Sequence, residues 1–221
     1  MTRTSIRTRI LGFTMMALVA STGIALAGPP LLCHPFDIGT AKSLTWDGSR
    51  GWMGRADGIN MQTLVADTEA LLTPTTPVIV RMETLRRAAI YASRDAQVAP
   101  QLLQRLQARA GNGTDPLASF DAGYLVETYR QIGELGKYGN SGLQAKHDVV
   151  AALVKDVDGY AMVQKSLAAR ANDPGLEFAS ALIAASINRK TAYNQHAVKA
   201  RAGAAQDPLV ARNIGQIAGT Y

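Results

Sequence analysis

The chain has 221 residues, of which 47% are hydrophobic, 18% charged and 6% aromatic, with one cysteine and a formal net charge of +6. These figures exclude a disordered acidic chain, a collagen-like repeat, a disulfide-stapled mini-protein and a polytopic membrane protein. At roughly 150 residues per domain, the length allows one domain or two small ones.

The first residues carry an export pattern. Arg3, Arg7 and Arg9 form a basic lead without acids, an apolar stretch runs from Ile10 to Leu26, and Ala25-Leu26-Ala27 is a small-x-small cleavage site. Gly28-Pro29-Pro30 stops any helix directly afterwards. The three-part arrangement predicts a secretory signal peptide over residues 1–27, cleaved after Ala27. The protein is then exported, periplasmic or extracellular, and free of the membrane once the leader is gone. Two rival readings fit less well. An uncleaved anchor would have to span a bilayer with residues 10–27, which include Gly12, Thr14, Ser21, Thr22 and Gly23. Lipid attachment at Cys33 would need small residues where Pro30-Leu31-Leu32 stand.

Removing residues 1–27, which hold three arginines and no acid, lowers the net charge from +6 to +3. A charge that small, spread over the remaining chain, is no nucleic-acid footprint. The densest basic pairs, Arg86-Arg87 and Arg189-Lys190, read as solvated helix faces or helix ends. One cysteine cannot close an internal disulfide, so the fold must rest on its own core, for which the mature length suffices.

Residues 28–59 have neither helical nor strand periodicity. They hold three prolines, five glycines after Gly28 and both tryptophans. They are expected to form an irregular N-terminal arm whose Phe36, Trp46 and Trp52 pack on the body. Within it, Cys33-His34-Pro35-Phe36-Asp37 is the one local group with reactive atoms. A thiolate, an imidazole and a carboxylate within five residues could bind a transition metal or support a redox thiol. The competing reading is a small apolar cysteine packed beside Leu31 and Leu32, next to a turn-forming His-Pro. A tight metal site needs further ligands, and only His147 and His196 remain elsewhere as histidines.

From residue 60 to residue 221 the pattern is helical. Helices are expected near 60–72, 77–93, 96–110, 116–135, 143–156, 158–171, 174–187, 191–204 and 208–219. The apolar stripes are explicit in three: Val78, Met82, Leu85, Ala89, Ala92; then Leu117, Phe120, Tyr124, Leu125, Thr128, Ile132, Leu135; then Leu176, Ala179, Ile183, Ile187. Thr76-Pro77, Asp115-Pro116, Asp173-Pro174 and Asp207-Pro208 each place a capping oxygen before a proline. The oxygen can accept a first-turn N–H, and proline there forfeits no bond. Arg109, Arg170 and Arg201 end the preceding helices in similar Ala-Arg-Ala contexts, where they also oppose the negative end of the dipole. These arginines lie 61 and 31 residues apart, and Tyr91, Tyr124, Tyr160 and Tyr193 lie 33, 36 and 33 apart. Such spacing suits a helix–turn–helix repeat.

The stretch Asp158-Gly-Tyr-Ala-Met-Val-Gln-Lys-Ser-Leu167, followed by Asn172-Asp173-Pro174 and Phe178-Ala-Ser-Ala-Leu182, resembles a tetratricopeptide repeat running into its successor. Ser166 replaces the late alanine of that pattern. The match covers about residues 158–185. The helix after Pro77 looks equally like a HEAT-type helix, and the Gly133–Gly142 link interrupts any regular array. The resemblance implies an all-α fold of stacked helical hairpins, α-solenoid-like, that binds a protein or peptide partner. The whole chain is also similar to exported bacterial proteins without an assigned activity.

Catalytic and cofactor signatures are absent from the sequence: no HExxH, CxxC, Walker loop, GxGxxG or GxSxG. Asp156-Val-Asp-Gly159 would put Val154 and Lys165 at the ends of a calcium loop, so Asp158 is read as a helix cap. Glu127 and Glu134 share a helix face that is read as exposed, and Asp121 sits near the apolar stripe, where partial burial is expected. Tyr124 and Tyr129 are read as core and rim. The expectation is a non-catalytic protein- or peptide-binding or assembly module without cofactor or metal. The alternative is a small metal- or thiol-dependent protein using Cys33, His34 and Asp37.

Overall fold

A computed structural model describes residues 29–46, 59–113, 115–137 and 144–217. The leader, Trp52 and much of the glycine-rich link lie outside the described residues. Within them the fold is all-α: α1 (Leu64–Leu71), α2 (Val78–Ala92), α3 (Val98–Asn112), α4 (Ala118–Gly136), α5 (Gln144–Leu153), α6 (Gly159–Ala169), α7 (Pro174–Ser186), α8 (Lys190–Gly203) and α9 (Pro208–Asn213), closed by a 3-10 turn at Ile214–Ile217. Each segment whose periodicity predicts a helix holds one.

The cap chemistry explains most of the boundaries. Asp173 accepts from the Leu176 amide (3.0 Å), Asp207 from Leu209 and Val210 (2.9 and 3.1 Å), and Asp158 from Ala161 (2.8 Å). Asp115 accepts from Leu117 (2.9 Å). Thr76 departs from the expectation. Its hydroxyl accepts from Thr73 N–H and donates to Leu71 O, so it closes the loop and caps nothing in α2. The terminal arginines do more than face a dipole. Arg170 bonds the next cap, Asp173 (2.7 Å), Arg109 lies 3.6 Å from Asp115, and Arg201 donates to Ile217 O. Helices α3, α6 and α7 are followed by residues at positive φ, Gly113, Asn172 and Asn188, where glycine and asparagine are best tolerated.

Three helices form the centre. Every residue of α2 except Arg87 is buried, and so is every residue of α7 between Pro174 and Ser186; most of α4 is buried as well. Helix α4 packs against α2, α3, α5 and α6, α7 packs against α6, α8 and α2, and α1 packs against α2 and α3. The outer helices are one-sided: α3 buries Val98, Ala99, Leu102, Leu103 and Leu106. Arg86 and Glu127 are not on solvated faces. Both are buried, because the helices that carry them are surrounded. No helix among the described residues is long and apolar enough to cross a membrane.

Gly123 sets a close contact between α4 and α6 in this core. A Cβ there would lie 2.5 Å from Gly159 O and 2.8 Å from Met162 Cβ. Gly123→Ala is expected to cost about 1–3 kcal/mol by overpacking, despite alanine's better helix propensity. The check is a shift of the urea midpoint with unchanged slope.

Candidate functional site

Residues 29–46 make the feature that the sequence does not foresee in detail. After a tight turn in which Leu32 and Cys33 amides donate to Pro29 O (3.1 and 3.0 Å), the arm crosses a face made by α4, α2, α7 and α9. Leu31 and Leu32 are fully buried, as is Phe36, which meets Phe178 edge-on at 6.2 Å. Ile38 and Leu44 are also buried. Trp46 rests against Tyr91, with the Arg86 guanidinium 4.5 Å over its ring.

The main chain of the arm is held by side chains. Gln131 Oε1 accepts from Leu31 N (3.0 Å), and Glu83 Oε2 accepts from Phe36 N (3.0 Å). Arg86 donates to Leu32 O (3.1 Å), Arg87 to Leu44 O, and Tyr91 OH to Thr45 O (2.6 Å). Asn213 takes both groups of one residue: its Oδ1 accepts from Asp37 N (2.8 Å) and its Nδ2 donates to Asp37 O (2.9 Å). A carboxamide that satisfies an N–H and a C=O together recognises extended peptide whatever its side chains.

Glu83 is the pivot. Its carboxylate is fully buried and receives Arg86 at 2.8 Å through both oxygens and Arg87 at 2.7 Å. These pairs lie within one helix, at i+3 and i+4. The Glu83–arginine part of the anchor is therefore assembled by α2 alone.

The opposing energies of docking nearly balance. Five buried side chains contribute about 10 kcal/mol at about 2 each, and eight main-chain hydrogen bonds, Gln216 to Pro35 O (3.3 Å) included, about 8 at about 1 each. Ordering residues 29–46 costs about 18 at about 1 per residue. The arm is thus held by a small difference between large quantities.

The sequence-predicted trio is dispersed in role. Cys33 is half-buried against the core, and burial pushes its thiol up, opposed by the Arg86 charge. Asp37 is exposed; it accepts from Gly39 N (2.9 Å) and lies 3.4 Å from Arg212. The Gly39 amide, with Arg212 assisting, holds the Asp37 carboxyl below the usual range. His34 is partly exposed beside them. Among the described residues no three His, Cys, Asp or Glu side chains are arranged to hold a metal ion.

Two other polar groups stand out. Glu177, His196 and Tyr160 form a carboxylate–imidazole–hydroxyl chain, with Glu177 Oε2 2.5 Å from His196 Nδ1 and Tyr160 OH 2.9 Å from Nε2. Lys199 takes the second Glu177 oxygen at 3.1 Å. Such a chain can orient a proton, but here the hydroxyl is spent on the imidazole inside the protein, and the chain pins α6, α7 and α8 together. Arg189 covers the Tyr160 ring at 4.7 Å. Nearby, an open depression of about 400 Å³ is lined by Glu127, Arg130, Lys155, Asp156, Asp158 and Arg189, among others. Its charges are balanced, and Arg130 is already committed to Glu127 (3.1 Å) and to Val157 O (2.6 Å).

Glu83, Arg86, Gln131 and Asn213 were not legible as a site. The available signal was in α2, where Ile79, Val80 and Ile90 lie off the apolar stripe. A helix that is apolar nearly all round is buried, and charges inside it must find partners. His196 stood at a stripe position of α8, between Tyr193 and Ala200, and is buried with them. Comparison with protein-family models, with curated proteins and with solved structures finds no match to this chain.

Proposed function

We propose that this protein is an exported, non-catalytic module of stacked helical hairpins that binds an extended peptide, for protein binding or assembly. One observation carries the reading. The face made by α4, α2, α7 and α9 already holds a non-helical segment, its own arm, through side chains aimed at main-chain groups, the bidentate Asn213 above all. That is recognition of a peptide backbone, with apolar pockets beside it for alternate side chains. The hairpin-stack part draws support from packing between neighbouring and next-but-one helices, α2 on α4, α4 on α6 and α7 on α9, although α2 on α7 adds a contact that an open stack lacks. Export draws on the leader pattern of residues 1–27. Elsewhere the described surface offers little to a greasy partner, Val198 being its one exposed large hydrophobic residue.

Screening an immobilised library of extended peptides against the mature chain tests this. Binders are expected, and their binding should accelerate amide exchange in residues 29–46, because ligand and arm compete for the same side chains. A library without binders, or binders that leave the arm's exchange unchanged, overturns the reading.

A further inference from the structure

We infer that the arm is exchangeable between copies: the face on α4, α2, α7 and α9 of one chain accepts residues 29–46 of a second copy. The inference rests on the peptide-docking reading above and names the partner.

The arm has the properties of a detachable ligand. Its main-chain bonds to the body, at Leu31, Leu32, Pro35, Phe36, Asp37, Leu44 and Thr45, all end on side chains, and it joins no sheet or helix. Its departure leaves Glu83 with both arginines, so the face loses its occupant without stranding a buried charge. After cleavage at Ala27 the arm starts at a chain end, which can enter or leave a groove without threading. Twelve residues separate Trp46 from Ile59. A chain of that length spans at most about 40 Å, enough to carry an arm to an adjoining molecule. A second copy presents by identity the one sequence shown to fit, and exchange of an identical element is a low-cost route to a dimer.

Asp37 and Arg212 allow a direct test, because their side chains meet at 3.4 Å and both are more than half exposed. Two forms of the full mature chain are prepared in a Cys33→Ser background, isotopically heavy with Asp37→Cys and light with Arg212→Cys. They are unfolded together, refolded at high concentration and treated with a short bis-maleimide. Exchange predicts a covalent heavy–light dimer joined through positions 37 and 212, and a dimer peak in sedimentation that grows with concentration. A chain carrying both cysteines calibrates the intramolecular link. If the double variant links internally while the co-refolded mixture stays unlinked and monomeric, the arm belongs to its own chain and the proposal falls. Peptide binding on the same face without cross-chain linking would remove exchange and leave the docking reading standing; loss of both would remove both.

Discussion

Replacing Glu83 with alanine is expected to lower stability by about 3–5 kcal/mol, the usual cost of breaking a buried ion pair from one side. The variant strands Arg86, whose side chain is fully buried, and removes the acceptor of the Phe36 amide. One neighbour bears on the effect. Tyr124 OH is buried without a hydrogen-bond partner, and its hydroxyl is driven far above the ordinary range by burial, with Glu83 adding to the rise and Arg86 opposing it. The pocket thus offers the guanidinium only neutral acceptors, the Leu32 carbonyl among them, and no second carboxylate to balance its charge. Urea unfolding measures the loss. Glu83→Met combined with Arg86→Met removes the fully buried pair, leaving only the partly exposed Arg87, and is expected to recover much of it, since apolar replacement of a whole buried pair is often neutral or better. A single variant within about 0.5 kcal/mol of wild type would mean that Glu83 is not the pivot.

The second large effect is on pH dependence. Arg81, Arg109, Asp115 and Asp121 meet where the α1–α2 loop, α3 and α4 converge: Arg81 lies 2.5 Å from Asp121 and 3.0 Å from Asp115, and Arg109 lies 3.5 Å from Asp121. Asp121 is fully buried, and its Oδ1 has no hydrogen-bond partner. Burial pushes its carboxyl up from 3.8 to about 7, against the opposing pull of Arg81 and Arg109 and with Asp115 adding to the rise. Between those values the folded chain holds a proton that the unfolded chain has released, so stability falls as pH rises. The contribution is fully present below about pH 4 and gone above about pH 7. At about 1.4 kcal/mol per unit the loss amounts to a few kcal/mol. Asp121→Asn is expected to flatten that slope in denaturation midpoints measured from pH 4.5 to 7.5. An equal slope in the variant would assign the dependence to another group, and a carbon-13 titration of the Asp121 carboxyl reads it directly.

Local signals in the sequence were sufficient for the helices and insufficient for their arrangement. Periodicity at 3.6 residues and Asp-Pro caps act within a few residues, so Asp173 and Asp207 marked their helices without knowledge of the fold. Thr76 carried the same signature, and the carbonyl of Leu71, at the end of α1, took its hydroxyl. Whether a helix lies at the centre or the edge depends on partners distant in sequence. Arg86 could therefore be read as solvated although α2 is enclosed by α4, α7 and the arm. The docking face is less legible still. Gln131, Glu83 and Asn213 come from three helices and share no local pattern, and a side chain that binds main chain leaves no complementary residue type to look for. The arm itself was visible by its lack of periodicity, with Phe36 and Trp46 expected on the body and found there; its path was not.

That path has a consequence for synthesis. Leu31 bonds Gln131, 100 positions away, and Asp37 bonds Asn213, 176 positions away. A chain that leaves the ribosome or the membrane with its N-terminus first presents these residues long before α9 exists. Their seat cannot be completed until nearly the whole polypeptide has emerged, and Leu31, Leu32 and Phe36 remain open to chaperones for all of that interval.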